Sequence, residues 1–215
     1  VPAAFGIAEP RQGALVSGID AARQHVTLRG VSGEVLVALD DHTPRRVTTG
    51  SVRLGALLLE DEELAPGFHR LVVVRETGAA FEVAASTFVV GDEAPPSVPA
   101  PSGVVLLEPH GTYNGDEAAN AIRVVAFALD AASPLAVRIS GPNVSSERRT
   151  KSGALRVQGL PSGDFRIDAI ELSGADPAAA VPRSGRWSTM GRVITVNRDA
   201  PEPPSAAQPS KGSAG

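Results

Sequence analysis

Hydrophobic and polar positions along this chain alternate in short bursts rather than in long helical stripes. Gln24-His25-Val26-Thr27-Leu28-Arg29 puts an apolar side chain at every second position, the period of a strand with one face on a core. Glu34-Val35-Leu36-Val37-Ala38-Leu39 reads as the next strand, closed by the turn Asp40-Asp41-His42-Thr43-Pro44. Residues 5–10 and 13–16 read as short edge pieces, the first ended by Pro10. Residues 45–49, 51–59, 68–75 and 81–90 complete the first half. The second half offers strands at residues 121–129, 135–140, 154–158, 165–172 and 187–196, with a long loop at 174–185. Asn114-Gly115-Asp116-Glu117 is read as a turn.

One stretch occurs twice. Leu160-Pro161-Ser162-Gly163-Asp164-Phe165-Arg166-Ile167 repeats Leu64-Ala65-Pro66-Gly67-Phe68-His69-Arg70-Leu71, so Gly163 matches Gly67, Phe165 matches His69 and Arg166 matches Arg70. Glu108-Pro109 and Gly111 likewise echo Glu9-Pro10 and Gly13. Two copies of one Pro/Gly corner imply two copies of one small domain. The expected organisation is all-β: two tandem antiparallel β-sandwiches at residues 1–91 and 104–198, a linker at 92–103 and a disordered tail at 199–215. The linker, with prolines at 95, 96, 99 and 101, is expected to be semi-rigid and to space the two bodies.

Composition supports this picture and narrows the chemistry. The 215 residues suit two domains, and 42% hydrophobic content supplies real cores built from aliphatic side chains, since aromatics make up 4%. Residues 1–98 carry a net charge of −5 and residues 99–215 of +1, too little to argue for nucleic acid. The absence of cysteine removes disulfides and thiolate chemistry. No apolar run reaches the ~20 residues of a membrane helix, so membrane association is expected only through a partner. Val1 opens the chain and Met190 is its one methionine; with the strand-rich, Pro-linked plan this favours an exported protein, periplasmic or extracellular, with its signal peptide removed.

Val137-Arg138-Ile139-Ser140-Gly141, Lys151-Ser152-Gly153 and the corner from Gly159 to Ile167 resemble bacterial immunoglobulin-like sandwiches, and more narrowly the carboxypeptidase-regulatory or prealbumin-like type. That family has Tyr where this chain has Phe165 and His69. The resemblance implies non-enzymatic modules that act as spacers, adhesion units or docking subunits.

Candidate chemistry is sparse. His25, His42, His69 and His110 are scattered, whereas a metal site needs several ligands converging at about 2 Å. His69, at the corner, is expected to pack inward and donate to a local carbonyl. The acidic runs Asp40-Asp41 and Glu60-Asp61-Glu62-Glu63 read as solvated loops. No phosphate loop and no GxSxG is present, so no catalytic residue, cofactor or metal is assigned. Glu147-Arg148-Arg149-Thr150-Lys151 is a basic patch on a hairpin. Arg148, Arg149, Arg183, Arg186 and Trp187 are the interface candidates, because Arg and Trp dominate binding hot spots. Gly67, His69, Gly163 and Phe165 are the structural corners. The expected function is an accessory subunit docking on a larger extracytoplasmic, membrane-associated protein complex. The alternative is a glycan-binding or adhesive module using Trp187 as its aromatic platform.

Overall fold

The computed structural model of the protein describes residues 4–60, 62–78, 80–130, 132–151, 153–174 and 176–199. The tail from residue 200, Asp61 and Ser152 lie outside the described residues. With 52% strand against 8% helix, the chain is all-β.

The first half contains β1 (Gly6–Glu9), β2 (Leu15–Val16), β3 (His25–Arg29), β4 (Val35–Leu39), β5 (Arg45–Val47), β6 (Ser51–Arg53), β7 (Gly67–Thr77) and β8 (Ala80–Val90). Two 3-10 helices, Gly18–Arg23 and Leu54–Leu57, interrupt them. A three-stranded sheet, β1-β3-β6, and a five-stranded sheet, β2-β8-β7-β4-β5, enclose a core of Val26, Leu28, Val37, Leu71, Val73 and Phe88. The second half contains β9 (Val104–Glu108), β10 (Gly111–Asn114), α1 (Gly115–Asn120), β11 (Arg123–Ala128), β12 (Leu135–Gly141), β13 (Val144–Thr150), β14 (Gly153–Arg156), β15 (Gly163–Ser173), β16 (Val181–Pro182) and β17 (Thr189–Asn197). Its sheets run β14-β11-β9 and β10-β17-β15-β12-β13, with β16 added to β15, around Val124, Val137, Ile139, Phe165 and Ile167. Apart from β16, the two topologies coincide strand for strand. The repeated Glu-Pro pairs, Glu9-Pro10 and Glu108-Pro109, are both cis.

Three local expectations change. The sheets are not purely antiparallel: β2 pairs parallel to β8 and β10 parallel to β17, because the chain crosses from one sheet to the other after each Glu-Pro pair. Residues 115–120 form a short helix rather than a turn, with Asp116 and Glu117 in the first turn, where the helix dipole favours carboxylates. Residues 144–150, not assigned as a strand, are a full edge strand paired with β12 along all seven positions, so the basic patch lies on one arm of the β12–β13 hairpin. An edge strand buries little, so its charged sequence hides its β character.

The linker does not hold the halves apart. A third apolar cluster joins Ala38, Val72 and Val74, with Leu36, Phe81 and Ala85 beside them, to Val105, Leu107, Val125 and Phe127. The outer face of the first half's five-stranded sheet therefore packs on the outer face of the second half's three-stranded sheet. Four sheets stack in the order three, five, three and six strands, the sixth being β16. The two middle sheets are covered on both sides, which explains the unbroken runs Leu71-Val72-Val73-Val74 and Val104-Val105-Leu106-Leu107.

In the last sheet Arg138 faces Asp168, at the places that Ala38 and Val72 hold in the first repeat. In the first sheet the exposed His25 and Thr27 stand where Arg123 and Val125 stand in the second. The first sheet's outer face is polar at these places, whereas on the last sheet the Arg138–Asp168 pair adjoins a fourth apolar cluster, Ala136, Ile170, Leu172 and Ala180, where the chain folds back as β16 onto β15.

Candidate functional site

The junction between the repeats is built around Arg70, which is fully buried. β7 alternates its side chains, so His69 enters the first core, where it stacks on Phe88, and Arg70 points the other way into the junction. Its Nη1 donates to Ser102 O at 2.7 Å, at the end of the linker, and its Nη2 to Val104 O at 2.9 Å, at the start of β9. The sulfur of Met190 lies 3.2 Å from Nη2, and the guanidinium carbon is 4.9 Å from the centre of the Trp187 ring. Burial lowers the Arg70 pKa to about 10, so the side chain stays cationic at neutral pH.

From the opposite side Arg192 reaches back. It donates to Leu107 O at 3.0 Å and to His42 O, in the first repeat, at 3.2 Å. Desolvation lowers its pKa to about 10 as well. At the rim, Arg123 pairs with Glu76 of the first repeat and with Glu108 of its own. Cations from both repeats therefore satisfy backbone carbonyls that the closed junction removes from water.

Behind Arg70 lies a pair of doubly bonded histidines. Asp40 accepts the Arg70 backbone N–H at 2.8 Å and His69 Nδ1 at 2.7 Å, while His69 Nε2 donates to Ala65 O at 2.7 Å. His42 Nδ1 donates to Leu39 O and its Nε2 to Glu62, each at 2.8 Å. With an acceptor at each ring nitrogen, both imidazoles favour the doubly protonated form. Burial lowers the His69 pKa, but Asp40 and the Ala65 carbonyl outweigh it, against weak repulsion from Arg186, and the net shift is upward. His42 is raised in the same way: burial is outweighed by Glu62 and Leu39 O, with Asp41 adding attraction. A raised histidine stabilises the fold below its unfolded pKa of about 6.5, and that stability is lost as pH rises through the folded value. The expected result is a melting temperature that falls as the pH is raised above 6.5, with a flatter profile for His42→Gln and for His69→Gln. Melting curves between pH 5.5 and 9 check it, and a profile unchanged by both substitutions would remove these groups from the account.

The interface candidates fall into different places. Trp187 is half-buried, with the guanidinium of the exposed Arg186 4.6 Å from its ring centre on top of the Arg70 contact. Arg183 pairs with the buried Glu171 at 3.0 Å. Arg149 is held by Glu147 and by the carbonyls of Pro177, Ala178 and Ala180. Arg148 is exposed and, among the described residues, has no polar partner. At the corners, Gly67 and Gly163 take φ of +130° and +145°, and Phe165 is fully buried without a polar atom to satisfy.

The residues the sequence reading passed over are Arg70, Arg192 and Gly103; Asp40, read there as part of a solvated loop, is instead buried, because it accepts from His69 and from the Arg70 backbone N–H. The available signal was the unbroken apolar run after Arg70: a strand without alternation is covered on both faces, so a cation in its row is buried and must find partners. Among the described residues no cluster of three His, Asp or Glu is placed to hold a metal, and no helix is long and apolar enough to cross a membrane.

No family model and no curated protein matches the chain. Among solved structures, Bacteroides uniformis beta-glucuronidase 3 superposes with a TM-score of 0.33 at 13% identity, over 85% of this chain and 25% of that one. The three N-terminal domains of the bacteriophage RB49 outer capsid protein Hoc give 0.25 at 12%, over 90% and 59%. A chimeric titin Z1Z2-Z1Z2 tandem gives 0.22 at 9%, over 91% and 98%. The chain thus spans a quarter of the glucuronidase and about three-fifths of the Hoc fragment. Immunoglobulin-domain proteins stand among these neighbours, and at such scores nothing ties the chain to a particular family.

Proposed function

We propose that this protein is a non-enzymatic docking subunit: a stiff β-body that binds a protein partner in a larger extracytoplasmic assembly and reaches the membrane through that partner. The observation that carries the reading is the junction itself. Buried Arg70 and Arg192 and the shared apolar layer join two sandwiches into one body, which holds its outer edges in a constant relation. A module of that kind presents surfaces at a set spacing, the property a docking subunit uses.

The glycan-binding alternative draws less support. Two guanidiniums lie over the Trp187 ring, the platform a sugar would need.

Gentle solubilisation of native envelopes, native-gel separation and mass spectrometry test the proposal. The expected result is stoichiometric co-migration with a larger assembly. Migration alone near 22.0 kDa, together with retention on cell-wall polysaccharide, would overturn it in favour of adhesion.

A further inference from the structure

The two repeats differ most in how they close one side of the sandwich. In the first, the chain leaving β6 forms the 3-10 helix Leu54–Leu57 before it reaches the corner at Leu64. Nine residues separate Leu54 from Leu64, and they bring Leu57 and Leu58 into the core at 2% and 5% exposure. This plug packs against β4 and β6. In the second repeat Val157 stands where Leu54 does: each donates its N–H at 2.9 Å to the residue before the strand, Ile122 O and Gln24 O respectively. Only two residues then separate Val157 from the corner Leu160. The plug is missing.

In its place is a slot of about 150 Å³ between the free edges of β13 and β14. Its walls are Val137, Ile139, Val144, Leu155, Val157 and Leu160. Arg148, opposite the core residue Val137, also lines the slot; it is exposed and, among the described residues, has no polar partner, while Arg156 borders the slot from β14 with its side chain on the face of Arg123. No carboxylate lines the slot. Glu147, the acid on β13, is taken up by Arg138 and Arg149.

We propose that this slot receives a segment of a partner protein in which leucines are followed by carboxylates. The apolar walls set the first requirement, since a slot lined by aliphatic side chains lacks dispersion partners until other side chains fill it. The unpaired Arg148 guanidinium sets the second: it attracts an anionic segment and disfavours a basic one. The first repeat's own plug has this character, with Leu57-Leu58-Leu59 running into Glu60-Asp61-Glu62-Glu63. The free edge of β13 also offers backbone groups to an extended occupant. The inference rests on the docking reading and names the surface that docking uses.

A peptide copying residues 54–65 of this chain, blocked at both ends, is the probe. Titrated into the full chain, it should bind and protect the amides of residues 144–157 from hydrogen exchange. Arg148→Glu should weaken binding about fivefold, as one exposed charge contact turned to repulsion would. A peptide with its four acids changed to Lys, or with Leu57 and Leu58 changed to Ser, should lose binding while leaving the protein untouched. The slot proposal is overturned if no binding occurs at millimolar peptide, if the Lys peptide binds equally, or if protection falls elsewhere. It is also overturned if the free chain forms a concentration-dependent dimer that Arg148→Glu dissolves, because the slot's occupant is then a second copy. Co-migration with an assembly in the absence of peptide binding would leave docking standing and reject this surface. Peptide binding without co-migration would do the reverse.

Discussion

Arg70→Ala should destabilise the protein by about 3–5 kcal/mol, whereas Arg166→Ala, at the matching position of the second repeat, should stay within about 0.5 kcal/mol. The two residues occupy the same place in the same corner. Arg70 is closed in by both repeats, and its removal strands the carbonyls of Ser102 and Val104, uncovers the Trp187 ring and leaves a cavity. Each stranded carbonyl costs about 1–3 kcal/mol, with the cavity adding to it. Arg166 lies on the outer face of the last sheet, its side chain 56% exposed, and among the described residues it pairs only with Asp168. Surface pairs of that kind contribute little. For a chain of this size the Arg70 loss corresponds to roughly 10 °C in melting temperature. Trp187 is the single tryptophan, so its emission reports on the junction directly and should shift to the red in Arg70→Ala. Equal effects of the two substitutions would show that the junction is not held by this cation.

Gly103→Ala should cost about 3–5 kcal/mol, far more than Gly159→Ala. Both glycines take positive φ, +87° and +75°, a conformation that costs an L residue about 1–2 kcal/mol. Around Gly159 there is open space, so that term is all a methyl group adds. A Cβ on Gly103 would sit 2.2 Å from the carbonyl oxygen of Trp187. That carbonyl accepts the Val104 N–H at 2.8 Å, and Trp187 itself holds φ at +64°. Relieving the overlap breaks the bond that joins the start of β9 to the turn before β17 and moves the indole off Arg70. Urea titration followed by circular dichroism and by tryptophan emission measures both variants. If Gly103→Ala melts like Gly159→Ala, the close approach of linker and Trp187 does not exist in solution.

Much of the fold was legible in the sequence because it is written in local patterns. The alternation through His25, Val26, Thr27 and Leu28 marks a strand with one wet face, and β3 is that strand. The repeated corner marks equivalent strands, and the two sheet topologies coincide. Elements whose residues carry no local signal were not legible. β13 is strand through its pairing with β12, not through its own serines and charges. The helix at Gly115 is set by an acidic first turn that reads equally well as a turn.

The candidate site was less legible, because it depends on distance in space. Trp187 and Arg186 were identifiable as contact-forming side chains, but their partner Arg70 is far away in the chain. The slot at β13 and β14 could be seen only by laying one folded repeat on the other and finding the leucine plug absent.

By itself, then, the sequence determined an all-β chain of two related strand sets, the corners that begin β7 and β15, and the apolar and polar faces of individual strands. Periodicity, turn chemistry and proline are properties of neighbouring residues, and neighbouring residues decide them. Only the tertiary structure decided that the two sets share a core, that of two matching arginines one is buried and the other wet, and that one sandwich is plugged while the other stays open. Those outcomes depend on which sheet face meets another, and burial of surface between distant segments is not a property of either segment alone.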